Sequence, residues 1–425
     1  MKLITQKPEI FIIALGLFPI FFITGPFLSD LFVVTFDLFF LYVFIKEPEN
    51  IKKNFLKKFN KEIVCLLSFW LLSLLSSFNS ENIEVSFYKS FFHIRFYIFL
   101  FGLIFFFKMN KKISSYNFFN KIILLIIIIT CLSMYFEMIV KALHSRQIID
   151  FIFNEYQLYR FSGLFFDEQI IGSFLSKILV IYLLLNSKFE NFTKTNFTLI
   201  LLTLITIFLS GERMAFLIFS FYLFFFFIFL FKKIVFRDFI IFLTFFFITF
   251  FISLNSYDRL KARYDFFFQY IADIASSPKE LRQSVTQYNY YDLFKSGVDV
   301  WKTNKIFGVG VRNYRNACKD FYSINTDISK SSISCDTHPH NLYSEILAET
   351  GLIGLSLFLL FLLILINSCF KKNLKKEEKL LIAFSIIWLF WPIASTGSYF
   401  NNHNSTIIWY LLGFILYNRD INEKI

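Results

Sequence analysis

Charged residues are scarce in this sequence, and their scarcity narrows the class of protein. Asp, Glu, Lys and Arg make up 17% of the 425 residues, whereas hydrophobic residues make up 56%. A soluble domain of this length does not need so many apolar residues, and here they occur in runs separated by lysine-rich segments. The composition therefore excludes an ordinary soluble enzyme and predicts an all-α polytopic membrane protein.

Other features that would indicate a different class are missing too. The first apolar run has no small-residue cleavage site and is followed directly by a second run, so we expect no cleavable signal peptide. The sequence has no repeat of clear period and no low-complexity linker. Its net charge of +12 could suggest a nucleic-acid partner. The lysines, however, lie in short loops between apolar runs, where orientation in the membrane explains them, so we predict no nucleic-acid partner.

Twelve apolar runs predict about 12 transmembrane helices. A helix needs roughly 17–25 residues to cross about 30 Å of hydrocarbon, and most of the runs reach this length. The seventh run is short. The runs cover residues 9–27, 30–45, 63–78, 91–107, 122–141, 169–186, 197–210, 214–231, 238–254, 342–367, 380–396 and 404–417.

Basic residues predict the orientation of these spans. The loop at 46–62 has six lysines and the loop at 108–121 has four. The short connections on the other side of the membrane are nearly free of Lys and Arg. Because cytoplasmic loops carry the excess of basic residues, we expect both termini to be cytoplasmic.

Two of the predicted outside loops are long, at 142–168 and 255–340. The second loop divides the chain into spans 1–9 within residues 1–254, the loop itself, and residues 341–425 with spans 10–12 and a cytoplasmic C-terminus. It is too long for a passive connector. Helical periodicity at 257–274 and 290–304, the latter followed by the turn signal FGVGV, predicts a small helical cap on the membrane surface.

Two of the five cysteines differ from the rest. Cys65, Cys131 and Cys369 lie in or beside spans, which is typical of packing residues. Cys318 and Cys335 lie in the large outside loop, 17 positions apart. In an oxidising compartment a disulfide between them would contribute roughly 3 kcal/mol; the alternative is two unpaired thiols.

Four basic residues lie in or beside spans: Arg95, Arg160, Lys177 and Arg213. The predicted topology gives them one depth, near the outer membrane surface. Ionisable residues at such positions are costly and favour a functional role. A basic cluster there suits a lipid-linked diphosphate, since arginine binds phosphate oxygens in a bidentate manner and lysine adds a point charge.

Three of these residues also have a structural explanation. Arg95 could extend to the membrane interface. Lys177 could pair with Glu137 or Glu168, and Arg213 could pair with Glu212.

The segment HPHN, residues 338–341, lies where the large loop re-enters a span. Pro339 should hold His338 outside the helix, so that the span begins near His340 or Asn341. A histidine at this boundary can accept a proton from a hydroxyl group. The alternatives are a capping role or an opportunistic metal site.

The span after HPHN carries further polar residues and two glycines. Asn341, Glu345 and Glu349 recur at helical spacing and should share one face. Gly351 and Gly354 permit close helix approach, as small residues do in membranes.

The spacing His340-Asn341, nine residues, then Gly351-x-x-Gly354 resembles the signature of the O-antigen ligase and polymerase family of bacterial envelope glycosyltransferases. The RxSG…G segment at Arg160, Ser162, Gly163 and Gly172 is similar to that family as well. The SGER segment at 210–213 and the run FGVGVRNYRNAC also resemble it.

The resemblance implies a GT-C-like membrane glycosyltransferase in the bacterial inner membrane. It would transfer a glycan from undecaprenyl diphosphate to an acceptor hydroxyl at the periplasmic face, without metal or cofactor. His340 would be the general base, and Arg160 and Arg213 would hold the diphosphate, with Arg95 and Lys177 as further donor-binding candidates. The absence of a DxD sequence agrees, since cationic side chains must then stabilise the leaving diphosphate. The residues expected to orient or contact the acceptor are His338, Asn341, Glu345 and Glu349.

Three activities remain open. A ligase would deliver the glycan to a lipid A–core sugar, whereas a polymerase would extend a growing lipid-linked glycan. A protein hydroxyl is a further acceptor. A transporter of the same lipid-linked glycan is disfavoured, because transporters place their charges at the midplane of paired repeats.

Overall fold

The computed structural model of the chain describes residues 8–109, 113–144, 160–166, 168–186, 194–230, 236–256, 289–324, 335–371, 374–393 and 397–420. In these ranges the regular structure is helical. The helices that precede the large loop are α1 Pro8–Ile23, α2 Pro26–Lys46, α3 Glu49–Lys58, α4 Asn60–Ser76, α5 Ile83–Met109, α6 Ile113–His144, α7 Ile171–Asn186, α8 Lys194–Leu209, α9 Arg213–Phe229 and α10 Phe236–Ser256. Those within and after it are α11 Asn289–Thr303, α12 Tyr314–Ile324, α13 Leu342–Phe370, α14 Lys376–Leu389 and α15 Asn402–Asp420.

Each predicted apolar run corresponds to a helix. Among the described residues, five segments are long and apolar enough to cross a membrane: Pro26–Lys46, Asn60–Asn79, Ile83–Lys108, Asn117–Lys141 and Leu342–Phe370. Several shorter apolar helices accompany them. The chain is therefore an all-helical, multi-pass membrane protein, while the number of twelve spans stays a prediction.

The predicted cap is helical where the structure describes it. Helix α11 corresponds to the amphipathic segment predicted at 290–304. The other predicted helix, at 257–274, lies outside the described residues, as does most of the loop at 142–168.

The chain forms two compact units. The first comprises residues 29–109 and the described residues from 289 onward. Its helix α13 packs along α4 and against α11, and α15 packs against α5. The second comprises residues 8–28 and the described residues between 113 and 256, in which α6 packs against α1 and α7, and α8 packs against α7 and α10.

Helix α5 is longer than its apolar run. The run at 91–107 predicts a start near residue 91, but the helix begins at Ile83. The extra turns include Glu84 and Lys89, which are helical but too polar to belong to the apolar run. Arg95 therefore lies roughly 18 Å from the start of the helix, while its depth in the membrane stays a prediction.

Helix α13 is interrupted at Gly351, which has φ 69° and ψ −169°. The loop before α12 fills the break through backbone hydrogen bonds on both sides. The amides of Val309 and Gly310 donate to the carbonyls of Ala348 and Glu349, each at 3.0 Å, and the amide of Leu352 donates to Lys305 O at 2.9 Å. Backbone groups freed inside a span are therefore satisfied by protein, as the apolar environment requires.

Glycine is needed at this break. A left-handed φ strains other residues, and a Cβ on Gly351 would lie 2.2 Å from Ile306 O. The predicted role in helix–helix approach is thus wrong for Gly351, which instead admits a loop. The same predicted role agrees with the structure for Gly354, where a Cβ would contact Leu72 of α4 at 3.4 Å.

Candidate active site

The HPHN segment leads directly into α13, as predicted. Asn341 is the N-cap, and its side-chain oxygen accepts hydrogen bonds from the amides of Tyr343 and Ser344, both at 3.0 Å. Its amide nitrogen donates to Pro392 O at 2.7 Å. Asn341 therefore fixes where the helix begins and ties that point to the chain that follows α14.

His340 has a strained backbone. Its φ is 49°, a left-handed conformation that is uncommon for residues other than glycine. Pro339 on one side is buried, and the capping Asn341 on the other side is nearly so. Such strain persists only where the surroundings impose it, and it concentrates at functional sites.

The His340 side chain is accessible and lies beside a carboxylate. Its exposed fraction is 34%, and its Nε2 lies 3.5 Å from Asp336 Oδ2. The His338 ring lies next to it, with 4.2 Å between ring centroids, and His338 Nδ1 is 3.0 Å from Thr337 Oγ1. The side chains of Asp336, His338 and His340 thus lie together just before α13.

Glu345 and Glu349 are buried on the first turns of α13 and hold other segments in place. Glu345 accepts hydrogen bonds from the Ser398 hydroxyl and, at 2.7 Å, from the Tyr399 amide. Glu349 accepts from the Tyr314 amide at 3.4 Å. These contacts support the orienting part of their predicted role, whereas their burial argues against direct contact with an acceptor.

The cap is fastened to this segment. Cys318 of α12 and Cys335 form a disulfide with 5.8 Å between their Cα atoms. Cys318 also belongs to a small buried core with Val300, Tyr314 and Ala348. The residue after Cys335 is Asp336, so the disulfide fixes the position of the carboxylate beside His340.

Helix α11 crosses α13 closely at the same place. A Cβ on Gly297 would lie 2.0 Å from Ser344 Oγ and 3.1 Å from Pro339 Cβ. Ser344 Oγ donates to Phe294 O at 3.0 Å. Gly297 was not predicted from the sequence. Its importance depends on the close approach of α13, which the sequence does not show.

In the second unit, Glu137 of α6 holds the RxSG turn. It accepts hydrogen bonds from the amides of Ser162 at 2.9 Å and Gly163 at 2.6 Å. Its other oxygen pairs with Lys141 at 2.5 Å. The sequence allowed a pair between Lys177 and Glu137, but in the structure Glu137 pairs with Lys141.

The SGER turn is organised around Glu212. Its carboxylate accepts from the Gly172 amide at 2.5 Å, the Ser173 amide at 3.1 Å and Ser173 Oγ at 2.6 Å. These amides form the first turn of α7, where the helix dipole favours an anion. A Cβ on Gly172 would lie 3.0 Å from the Glu212 carboxylate, so glycine permits this approach.

Cationic side chains surround Glu212. Arg160 and Lys177 both interact electrostatically with it, and Arg213 is the next residue in the chain. Burial raises the pKa of Glu212, while its hydrogen bonds to Ser173 and Gly172 and the charge of Arg160 lower it. The structure thus brings Arg160 and Lys177 within electrostatic reach of one carboxylate.

Arg95 belongs to a different setting in the first unit. Its Nη2 pairs with Asp30 Oδ1 at 2.7 Å, and its guanidinium lies over the Phe96 ring. Its predicted part in donor binding stays a prediction.

Asp336 is a residue that sequence reasoning missed at this site. Its spacing of four from His340 in the printed sequence was the available signal.

In the described part of the chain, no three His, Cys, Asp or Glu side chains are grouped so that they could hold a metal ion.

Comparison with known families gives a match that covers this region. Residues 198–359 match the family model described as O-antigen ligase. The matched range begins before the SGER turn and ends after the break in α13, so it includes Arg213, His340 and Gly351. No curated protein matches the chain as a whole. The predicted resemblance is therefore confirmed over residues 198–359, a little more than a third of the chain, which are similar to the O-antigen ligase family.

Proposed function

We propose that this protein is an O-antigen ligase-type glycosyltransferase. It moves a glycan from undecaprenyl diphosphate to an acceptor hydroxyl on a lipid A–core sugar. The observation that carries the proposal is His340, which is accessible, strained, paired with Asp336 and fixed at the start of α13 within the family-matched region.

His340 acts as the general base. It takes the proton of the acceptor hydroxyl while the hydroxyl oxygen forms a bond to the anomeric carbon of the glycan. The bond from that carbon to the phosphate oxygen breaks, and undecaprenyl diphosphate leaves. Asp336 stabilises the protonated imidazole, and direct attack inverts the anomeric centre.

Cationic side chains stabilise the diphosphate, whose charge grows as it leaves. We assign this role to Arg160, Arg213 and Lys177, since Arg160 and Lys177 both act on Glu212 and Arg213 follows it in the chain. Arg95 is left out of the assignment, because its guanidinium is engaged by Asp30.

The lipid-linked donor determines where the enzyme works. The donor is held in the bilayer by its lipid, so the enzyme works within the bacterial inner membrane. Following the distribution of lysines, we place His340 on the periplasmic side and both termini in the cytoplasm.

A deletion strain tests the proposal through the gel pattern of its envelope polysaccharide. Long glycans left on the lipid carrier, with none on lipid A–core, support the ligase. Single repeats on lipid A–core would instead support the polymerase, which uses the same donor but extends the lipid-linked glycan. An unchanged pattern would contradict both. Complementation with His340→Ala, which should insert normally and fail to restore the pattern, ties the activity to this site.

A further inference from the structure

Asp37 is a carboxylate inside a membrane-spanning helix, away from the site described above. Helix α2 buries one stripe of residues, namely Ser29, Val33, Phe36, Asp37, Phe40 and Val43. Residues of the opposite face, such as Leu38, are exposed to the membrane. Asp37 therefore faces the protein interior, and 5% of it is accessible.

The surroundings of Asp37 are apolar packing between α2 and α5. Phe36 meets Phe99 with 5.3 Å between ring centroids, and Phe40 meets Phe105 at 5.6 Å. Gly102 lies so close to α2 that a Cβ there would approach Phe36 to 2.9 Å. Such packing excludes water and gives the carboxyl a low-dielectric environment.

Neither oxygen of Asp37 has a hydrogen-bond partner among the described residues. Charged groups that act on it are Arg95 of α5 and Asp30 of its own helix. Arg95, however, pairs with Asp30 at 2.7 Å. Asp30 also accepts from Asn402 of α15 at 3.3 Å, which further fixes that carboxylate.

The other titratable groups on the adjoining face of α5 do not compensate Asp37. His93 is buried among aromatic rings, including those of Tyr97 and Tyr399. Two carboxylates thus share one guanidinium in this region. An uncompensated charge in a low-dielectric interior is so costly that the group is neutralised instead.

We propose that Asp37 is a membrane-embedded proton-binding site, occupied while Arg95 is paired with Asp30. A proton neutralises the carboxyl with one covalent bond, whereas a metal cation needs several oxygen ligands and would be repelled by Arg95. Asp30 and Asp37 lie seven residues apart on α2 and compete for Arg95. When Asp30 loses its charge, Arg95 becomes available to Asp37, which then releases its proton.

Dicyclohexylcarbodiimide tests the proposal on the wild-type protein in detergent, since this apolar reagent modifies protonated carboxyl groups in apolar surroundings. At neutral pH we expect modification of Asp37, located by tandem mass spectrometry of the peptide that contains both Asp30 and Asp37. Glu49 serves as the control, because it is exposed and paired with Lys52, and should stay unmodified. Modification of Asp30 alone, or of neither aspartate, would overturn the proposal. Protection by sodium ions at constant pH would overturn it in favour of a metal cation.

Two variants test the competition for Arg95. Asp37→Asn should remove the modification. Asp30→Asn should lower the modification of Asp37 by about tenfold, the change that ~1.4 kcal/mol of ion-pair energy produces. Unchanged labelling in Asp30→Asn would show that Arg95 does not move between the two carboxylates. Neither readout involves glycan transfer, so these results stand apart from the proposed enzymatic function.

Discussion

Glutamates have the same structural role in the two units, but the segments that they hold differ. In each, buried or partly buried glutamates accept hydrogen bonds from backbone amides of distant segments. Glu345 and Glu349 of the first unit hold the surroundings of His340, a residue suited to proton transfer. Glu137 and Glu212 of the second unit hold turns that carry cations. Under the proposed function, the first unit positions the general base and the second unit carries the residues assigned to the diphosphate.

The largest effect should come from His340. We expect His340→Ala to lower the rate of glycan transfer by about 10²–10⁴-fold, the range for loss of a general base, with the KM for the donor little changed. Steady-state kinetics in detergent or liposomes would measure both. His338→Ala is the matched control and should lose far less. A near-normal kcat in His340→Ala would contradict the assignment of the general base to the first unit.

Arg160 should show the opposite pattern. Losing a charge-assisted contact with the diphosphate should raise the donor KM by roughly 10–100-fold, while kcat changes less. Arg160→Lys should recover little, because lysine lacks the planar fork. Arg237→Ala, an exposed arginine paired with its neighbour Asp238, is the control. A loss confined to kcat would argue against a donor-binding role for Arg160.

Glu212 gives a pH test of the second unit. Burial raises its pKa above the ordinary value of 4.5, so the folded protein binds more protons there than the unfolded chain does. Its contribution to stability is therefore complete below that value and is lost as the pH rises through the raised pKa. Thermal unfolding in detergent should show wild type losing stability relative to Glu212→Gln as the pH increases from acid to neutral. A constant difference across this range would contradict the prediction.

The smallest effect on transfer is expected from the disulfide. Replacing Cys318 and Cys335 together with serine should remove about 3 kcal/mol of cap stability and lower the rate only severalfold, since helices α11 and α12 still pack on α13. Mass analysis of the alkylated wild-type protein checks the premise. Two free thiols there would mean that the cap is fastened by packing alone.

Hydropathy and one proline were enough to predict much of the first unit. The apolar runs predicted the helices because spans must satisfy their own backbone. Pro339 predicted that α13 begins beside His340, and it begins at Leu342. Loop cysteines suggested the pair that the structure joins.

The remaining features depend on tertiary contacts that no spacing reveals. The break at Gly351 exists because a loop some 40 residues earlier inserts there, and a helix-period pattern continues through it. Hydropathy also missed the true start of α5, and the pairing of Arg95 with Asp30 has no signature in the sequence. The partners of Glu137 and Glu212 are backbone amides, which have no signature in the side-chain sequence.

The interruption of α13 also changes how far its first turns extend from the membrane. From Gly351 to Phe370 the helix has about 20 residues, or roughly 30 Å, which suffices to cross the hydrocarbon layer alone. If that part alone crosses the membrane, the turns from Leu342 to Gly351, about 13 Å of helix, lie beyond the hydrocarbon layer and carry His340 at their start. For the proposed function, this position would suit a base that acts on the polar head of a membrane-anchored donor. A single glycine would thereby set the working height of the proposed base.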